Sequence, residues 1–371
     1  MITNTVTPRV FIAATRQNDG KTTISLGLLS ALQKHFARIG YIKPVGQRFV
    51  EIEEQKIDED TVLMDTVYDL DCPLGDMSPI AVEPDFTRKY LQSSNRDTLV
   101  KKIGKAFDRV AWERDFVLCE GSGHAGVGSV FDLSNAQVAA LLNAKVIIVT
   151  GGGIGRPIDE VSLNQALFDK EDVEIIGVIV NKVMPDKVEH VAEFVRRGLK
   201  RKGLDLLGVI PHQRILSIPS VGVIQNDLGA ELLNRSQQMN NLVDDVVVGA
   251  MSVQNALRFF KSGVLLITPG DREDLVLAAA GRQEGERTRE PFSLAGIVLT
   301  GNLRPTASVM KIIQTVPYPV LLAKDDSYQV ASKVHDLIVK IQPGEIEKIA
   351  VVRNMIAQHV DVSKILNALD D

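Results

Sequence analysis

The chain has 371 residues, with 42 Lys and Arg against 47 Asp and Glu and a net charge of −5. That length exceeds one ordinary core and predicts two domains, and the acidic balance argues against nucleic-acid binding as the main task. No run of about 18 apolar residues occurs, which argues against a membrane span; Met1–Arg9 lacks the basic-then-apolar order of a signal peptide, so a cytoplasmic protein is expected.

The first two-thirds alternates β-branched runs with helical periodicity, which predicts an α/β fold with a parallel sheet covered by helices. Strands are expected at Val10–Ala13, Arg38–Val45, Phe116–Glu120, Lys145–Thr150, Ile175–Val180 and Leu206–Ile210. Several are continuous apolar runs, as in strands buried on both faces. Helices are expected at Thr23–Lys34, Arg96–Glu113, Ser134–Leu142, Glu160–Phe168 and Lys187–Lys202, with an irregular, acidic insertion over Val50–Arg88 on the strand-end face. His212–Val221 reads as a linker, and Gly222–Asn240 is polar and mixed. A smaller α/β unit then follows, with strands at Asp245–Ala250, Val264–Ile267, Ala295–Leu299 and Val320–Ala323. Its helices are expected at Val253–Phe260, Glu273–Ala280 and Pro305–Gln314, and two more, Tyr328–Ile341 and Pro343–Leu369, close it. The expected domains are 1–211 and 221–371.

The loop Ala14-Thr15-Arg16-Gln17-Asn18-Asp19-Gly20-Lys21-Thr22-Thr23 lies between the first strand and the first helix. That context is the one a phosphate-binding P-loop requires, although Thr15 stands where the usual pattern has its first glycine. Backbone N–H groups and the positive helix end can cradle nucleotide phosphates. Lys21 would reach the β/γ-phosphates and the Thr22 hydroxyl would ligate Mg²⁺. In parallel sheets ligands bind outside the carboxyl ends of the strands, which singles out several further residues. Glu120 ends the strand Phe116–Glu120 and is placed for Mg²⁺. Asp60, in Asp58-Glu59-Asp60, is either a second metal carboxylate or part of an acidic loop. Lys43 either projects toward the γ-phosphate or an anionic substrate group or is a solvated lysine at a strand end, and the Asn181 amide either reads adenine or lies in a surface turn. Gly121–Gly126 matches G-x-G-x-x-G, yet the next helix starts too late for a dinucleotide fingerprint; it reads as a flexible loop, its His124 either a ligand contact or merely exposed. Gly151–Pro157 reads as a close backbone approach to a ligand or second subunit, or as a plain connector. Cys72 and Cys119 show no metal-type spacing, and Cys119, inside a strand, reads as a buried inert thiol.

Taken in order, A-T-R-Q-N-D-G-K-T-T, G-Y-I-K-P-V, L-C-E-G, G-V-I-V-N-K and L-L-G-V-I-P resemble dethiobiotin synthetase and its P-loop relatives, including cobyrinic acid a,c-diamide synthase and the MinD/ParA ATPases. The likeness is strongest to the amino-terminal region of long phosphate acetyltransferases. Thr268-Pro269-Gly270-Asp271-Arg272-Glu273-Asp274 resembles the signature loop of the DRTGG domain; Asp271 there either caps a helix or takes part in binding. The resemblance implies a P-loop NTPase-type sheet, ATP and Mg²⁺ as cofactors, and a homodimer. Thr15, Arg16, Asp19, Gly20, Lys21, Thr22, Thr23 and Asn181 would bind the nucleotide, Thr22, Asp60 and Glu120 the metal, and Lys21 and Lys43 would act in catalysis. Arg16 takes the place of a lysine that reaches across the dimer in MinD/ParA proteins. The acetyltransferase catalytic domain has no counterpart in this sequence, so acetyl transfer by the chain alone is not expected. Two functions follow as expectations. One is an ATPase or ligase-type enzyme transferring the γ-phosphoryl group to an unidentified acceptor. The other is a nucleotide-sensing regulator of a partner enzyme in acetyl-phosphate metabolism.

Overall fold

The structure is a computed structural model and describes residues 2–285, 293–337 and 339–370. It divides into two compact units, Met1–Gln213 with Ile341–Asp371, and Arg214–Lys340.

The first unit runs β1 (Arg9–Ala14), α1 (Lys21–Leu32), β2 (Ile39–Ile42), β3 (Val45–Gly46), β4 (Phe49–Ile52), β5 (Gln55–Asp58), α2 (Glu59–Tyr68), α3 (Leu74–Met77), β6 (Ile80–Ala81), α4 (Phe86–Gln92), α5 (Arg96–Val110) and β7 (Phe116–Glu120). It continues with α6 (Asn135–Leu142), β8 (Lys145–Thr150), α7 (Gly155–Lys170), β9 (Ile175–Val183), α8 (Val188–Lys200) and β10 (Leu206–Pro211). Six strands form one parallel sheet in the order β10-β9-β8-β1-β7-β2. All six residues of β1 are buried, because helices cover both faces of a parallel sheet. Ser134 begins the sixth helix as its cap: its hydroxyl accepts from Gln137 N at 3.1 Å, and Gln137 Oε1 accepts from Ser134 N at 2.9 Å, a reciprocal capping box.

The expected strand Arg38–Val45 divides in two. Pro44 has no N–H for a sheet ladder, and Lys43 N turns aside to donate to Met77 O at 2.8 Å. Val45 and Gly46 then pair with β6 in a separate two-stranded sheet. Within the insertion, β4 and β5 form a hairpin. Its turn residues Glu53 and Glu54 have φ of 48° and 62°, left-handed values usually supplied by Asn-Gly.

The second unit contains α9 (Val221–Leu228), β11 (Glu231–Leu232), β12 (Asp245–Val248), α10 (Val253–Ala256), β13 (Val264–Pro269), α11 (Glu273–Gly285), β14 (Gly296–Thr300), α12 (Ala307–Ile313), β15 (Val320–Leu322) and α13 (Ser327–Asp336). Its sheet has the order β11-β15-β14-β13-β12, parallel except for β11. Successive side chains of β13 alternate between the two faces of that sheet. Val264 and Leu266 enter one apolar cluster and Leu265 and Ile267 the other, so both faces are covered. Within the helix expected over Tyr328–Ile341, Ile338 lies outside the described residues.

The chain then returns to the first unit with α14 (Ile346–His359) and α15 (Val362–Asp370). This corrects the expected boundary 221–371: the last helices close the first core, not the second. Periodicity identifies an apolar face but not which core receives it. Here α14 lies along α1, where a Cβ on Gly27 would fall 2.0 Å from Ile356 Cγ1. Val360 bridges Gly208 on β10, and Asp361 N donates to Leu207 O at 2.8 Å. Among the described residues no helix is long and apolar enough to cross a membrane. Both cysteines are free thiols, and burial pushes Cys119 up to about 12, as an inert core thiol requires.

The α1–α14 contact leaves no room for a side chain at position 27. Gly27→Val is expected to destabilise the fold by about 1–3 kcal/mol through overpacking, read as a lower urea midpoint. An unchanged midpoint would contradict this helix pairing.

Candidate nucleotide site

Because the six strands are parallel, the ends of β1, β2, β7, β8 and β9 share one edge of the sheet. The loop after β1 is held there by its own polar residues. Thr15 Oγ1 lies 2.9 Å from Asp19 Oδ2, 3.0 Å from Thr150 Oγ1 and 3.1 Å from Glu160 Oε2. Arg16 N donates to Asp19 Oδ2 at 2.8 Å. Burial raises the Asp19 carboxyl above its ordinary value, against the opposing bonds from Thr15 and Arg16. Asn181 Nδ2 donates to Asp19 O at 2.8 Å, and Lys182 Nζ donates to Asn18 O at 2.7 Å. Gly20 closes the loop at φ 99°, where a Cβ would fall 2.3 Å from Asn181 Nδ2. Only glycine meets both demands.

Within this frame the N–H groups of residues 17–23 find no acceptor among the described residues. Lys21 is 8% exposed, and its ammonium makes no hydrogen bond or ion pair among the described residues. Desolvation lowers Lys21 to about 8; the charge of Lys43 acts the same way, while Glu120, Asp60 and Asp19 oppose it. Thr22 Oγ1 donates to Glu120 Oε1 at 2.9 Å, and Thr23 lies half-buried in the first turn of α1.

Lys43 occupies the other half of the site. Its ammonium pairs with Asp60, lies 3.2 Å from Asp58 Oδ1 and lies 3.5 Å from Glu120 Oε1. Burial opposes its charge, but Asp60, Glu120 and Asp58 outweigh that and hold it above the ordinary lysine value. Tyr41, two residues earlier and within β2, donates its hydroxyl to Glu120 Oε2 at 3.1 Å. Asp58 also caps α2, accepting from Asp60 N at 3.0 Å. Among the described residues no group of three His, Cys, Asp or Glu is arranged to hold a metal ion. A hard cation here would draw on Thr22, Glu120 and Asp60 together with ligand oxygens, a donor set that suits Mg²⁺.

The expected residues thus converge, with two changes in the company they keep. Asn181 serves the loop: one amide hydrogen holds Asp19 and its oxygen accepts from Lys182 N at 2.9 Å, which leaves one hydrogen and one lone pair for a base. Arg16 is half-exposed and paired with Glu160, which Arg156 also contacts at 2.7 Å. Burial works against ionisation of Glu160, yet Arg156, Thr15 and Arg16 together hold it below the ordinary range. The expected flexibility of Gly121–Gly126 is also revised. Asn135 accepts from Ser122 N at 3.1 Å and donates to Ser122 O at 2.8 Å and His124 O at 2.7 Å, which fixes the loop, while His124 stays exposed. Gly152 packs against the backbone of Lys182. Sequence reading missed Tyr41, Asp58, Glu160 and Lys182. The two-residue spacing of Tyr41 and Lys43 could have found the first, but nothing local marks Glu160, brought in by α7.

A parallel α/β sheet with a P-loop at the end of β1 defines a P-loop NTPase-type domain, the class for which nucleotide binding is the common property. Residues 8–220 match the family described as an AAA domain, and residues 223–337 match the DRTGG domain. The first match takes in more than half of the chain, which therefore belongs to that AAA domain family. The phosphate acetyltransferase of Nitratidesulfovibrio vulgaris is 27% identical over 368 residues, covering 96% of this chain and 51% of that protein. The phosphate acetyltransferase of Synechocystis sp. is 28% identical over 375 residues, covering 98% and 52%. The chain thus spans about half the length of the curated relatives it matches. Among solved structures, the MinC:MinD cell division protein complex of Aquifex aeolicus aligns with 18% identity and a TM-score of 0.36, covering 56% of this chain and 83% of that one.

The buried ammonium of Lys21 carries a pH signature. Its folded value of about 8 lies below the ordinary 10.5, so between these values the unfolded chain binds more protons and stability rises with pH. Lys21→Met removes the buried charge and is expected to be more stable than the parent protein at pH 7.5 by roughly 3 kcal/mol. The gap should close toward pH 10.5; a gap independent of pH in urea unfolding would contradict it.

Proposed function

We propose that the first unit binds Mg·ATP at the loop 15–23. The observation that carries this reading is Lys21, buried without a partner beside N–H groups that also lack acceptors among the described residues. A bound phosphate chain supplies what both need, and the resulting charge-assisted hydrogen bonds are among the stronger ones available. Thr22, Asp60 and Glu120 form the metal side, where Mg²⁺ would neutralise charge on the β- and γ-phosphates. Thr15 and Asp19 brace the loop, and Asn181 holds its far wall while keeping one donor and one acceptor for the base.

Chemistry at this site would be γ-phosphoryl transfer or hydrolysis, in which positioning and electrostatic stabilisation dominate. Lys21 would bind the phosphate being transferred. Lys43, the substrate-side lysine by resemblance to dethiobiotin synthetase, is engaged by Asp58, Asp60 and Glu120 and would have to leave them to touch a phosphate. That engagement favours a second reading, a nucleotide-sensing regulator. The relatives match nearly the whole chain across both units and carry the name phosphate acetyltransferase, which directs the regulatory reading toward acetyl-phosphate chemistry.

ATP binding and phosphate release, measured with Mg²⁺ on the purified protein, test both readings. Tight binding is expected, weakened at least tenfold by Lys21→Ala, about 1.4 kcal/mol or more. Turnover abolished by the same substitution supports the enzyme, and binding without turnover supports the sensor. Absence of ATP binding by the parent protein refutes the assignment.

A further inference from the structure

The two lysines of the site are treated oppositely by the fold. Lys21, 8% exposed, has no anionic partner within bonding distance among the described residues. Lys43, 6% exposed, is surrounded by carboxylates of Asp58, Asp60 and Glu120 that are themselves buried. Three buried carboxylates drawn together without a cation would repel strongly in a medium that screens poorly. The Lys43 ammonium supplies that cation. Two of the three acids, Asp60 and Glu120, are the ones assigned above to the metal side, and Glu120 also takes the Thr22 hydroxyl. A dication bound by these oxygens at metal–ligand distance would lie against the ammonium, and the two positive charges would exclude each other. Lysine suits a displaceable role because its charge sits on a flexible four-carbon stem.

We propose that Lys43 is an internal counter-cation, seated among Asp58, Asp60 and Glu120 when no metal is bound and displaced from Asp60 and Glu120 when a divalent cation binds these two acids and Thr22, with Asp58 contributing negative charge beside them. This rests on the metal-side reading of Thr22, Asp60 and Glu120. It assigns Lys43 a task distinct from phosphate binding, which falls to Lys21. It also gives metal entry a structural consequence, because Asp58 caps α2 and ends the β4–β5 hairpin.

The test titrates Mn²⁺ alone, without nucleotide, into the full chain and into Lys43→Met, Asp58→Asn and the double variant, following free Mn²⁺ by electron paramagnetic resonance. Removal of Lys43 is expected to tighten Mn²⁺ binding at least tenfold in both backgrounds, and the double variant should bind more weakly than Lys43→Met. If Lys43→Met does not fold, the Asp58→Asn pair, with one carboxylate fewer, decides the matter. Failure of Lys43 removal to tighten Mn²⁺ binding overturns the proposal. ATP binding by the parent protein, recorded in parallel, keeps the two readings apart. Nucleotide binding without the Mn²⁺ gain refutes the counter-cation alone, whereas the gain without nucleotide binding refutes the P-loop reading alone.

Discussion

Opposite charges buried at the carboxyl edge of a parallel sheet organise the first unit, and the ammonium of Lys43 is their centre. The residue after β2 delivers it, β7 delivers Glu120, and the end of the β4–β5 hairpin and the first turn of α2 deliver Asp58 and Asp60. Each of these groups alone would be costly to desolvate, and removal of one partner from such a set leaves an uncompensated charge behind. The cluster therefore ties three separate chain segments to one point. The break of the chain at Lys43-Pro44, where Pro44 has no N–H for the ladder, falls at the residue whose side chain meets the acids.

Beside that neutralised cluster lies a loop whose polarity is unspent. Thr15, Asp19, Asn181 and Lys182 satisfy one another or the loop carbonyls, while Lys21 and the N–H groups of residues 17–23 face no acceptor among the described residues. The contrast is physical: the chain supplies the carboxylates with a cation, whereas among the described residues it supplies the N–H groups and Lys21 with no anion. Behind the loop, the Ile356 side chain of α14 packs directly against the backbone of α1 at Gly27. The second unit is an insertion between β10 and α14, so the helix behind the phosphate loop is reached only after the chain has passed through the whole DRTGG domain.

Local rules made much of this legible. Continuous apolar runs identify strands covered on both faces, and Phe116–Glu120 and Lys145–Thr150 fall where those runs predict. Loop composition between β1 and α1 points to phosphate. The hairpin escaped notice because Glu53 and Glu54 occupy positive φ without the glycine or asparagine that usually announces such a turn. Glu160 escaped because its link to Thr15 spans 145 residues and has no local mark.

The sequence by itself determined the fold class, the order of both domains and the phosphate loop, because apolar periodicity and short glycine-containing turns act over a few residues. Tertiary structure alone decided the rest. It set Lys43 among three carboxylates, turned Asn181 toward the loop carbonyl, gave Arg16 to Glu160 and returned α14 to the first core. Each of these depends on which distant groups share one buried edge, where a charge must find its counter-charge in space and not along the chain.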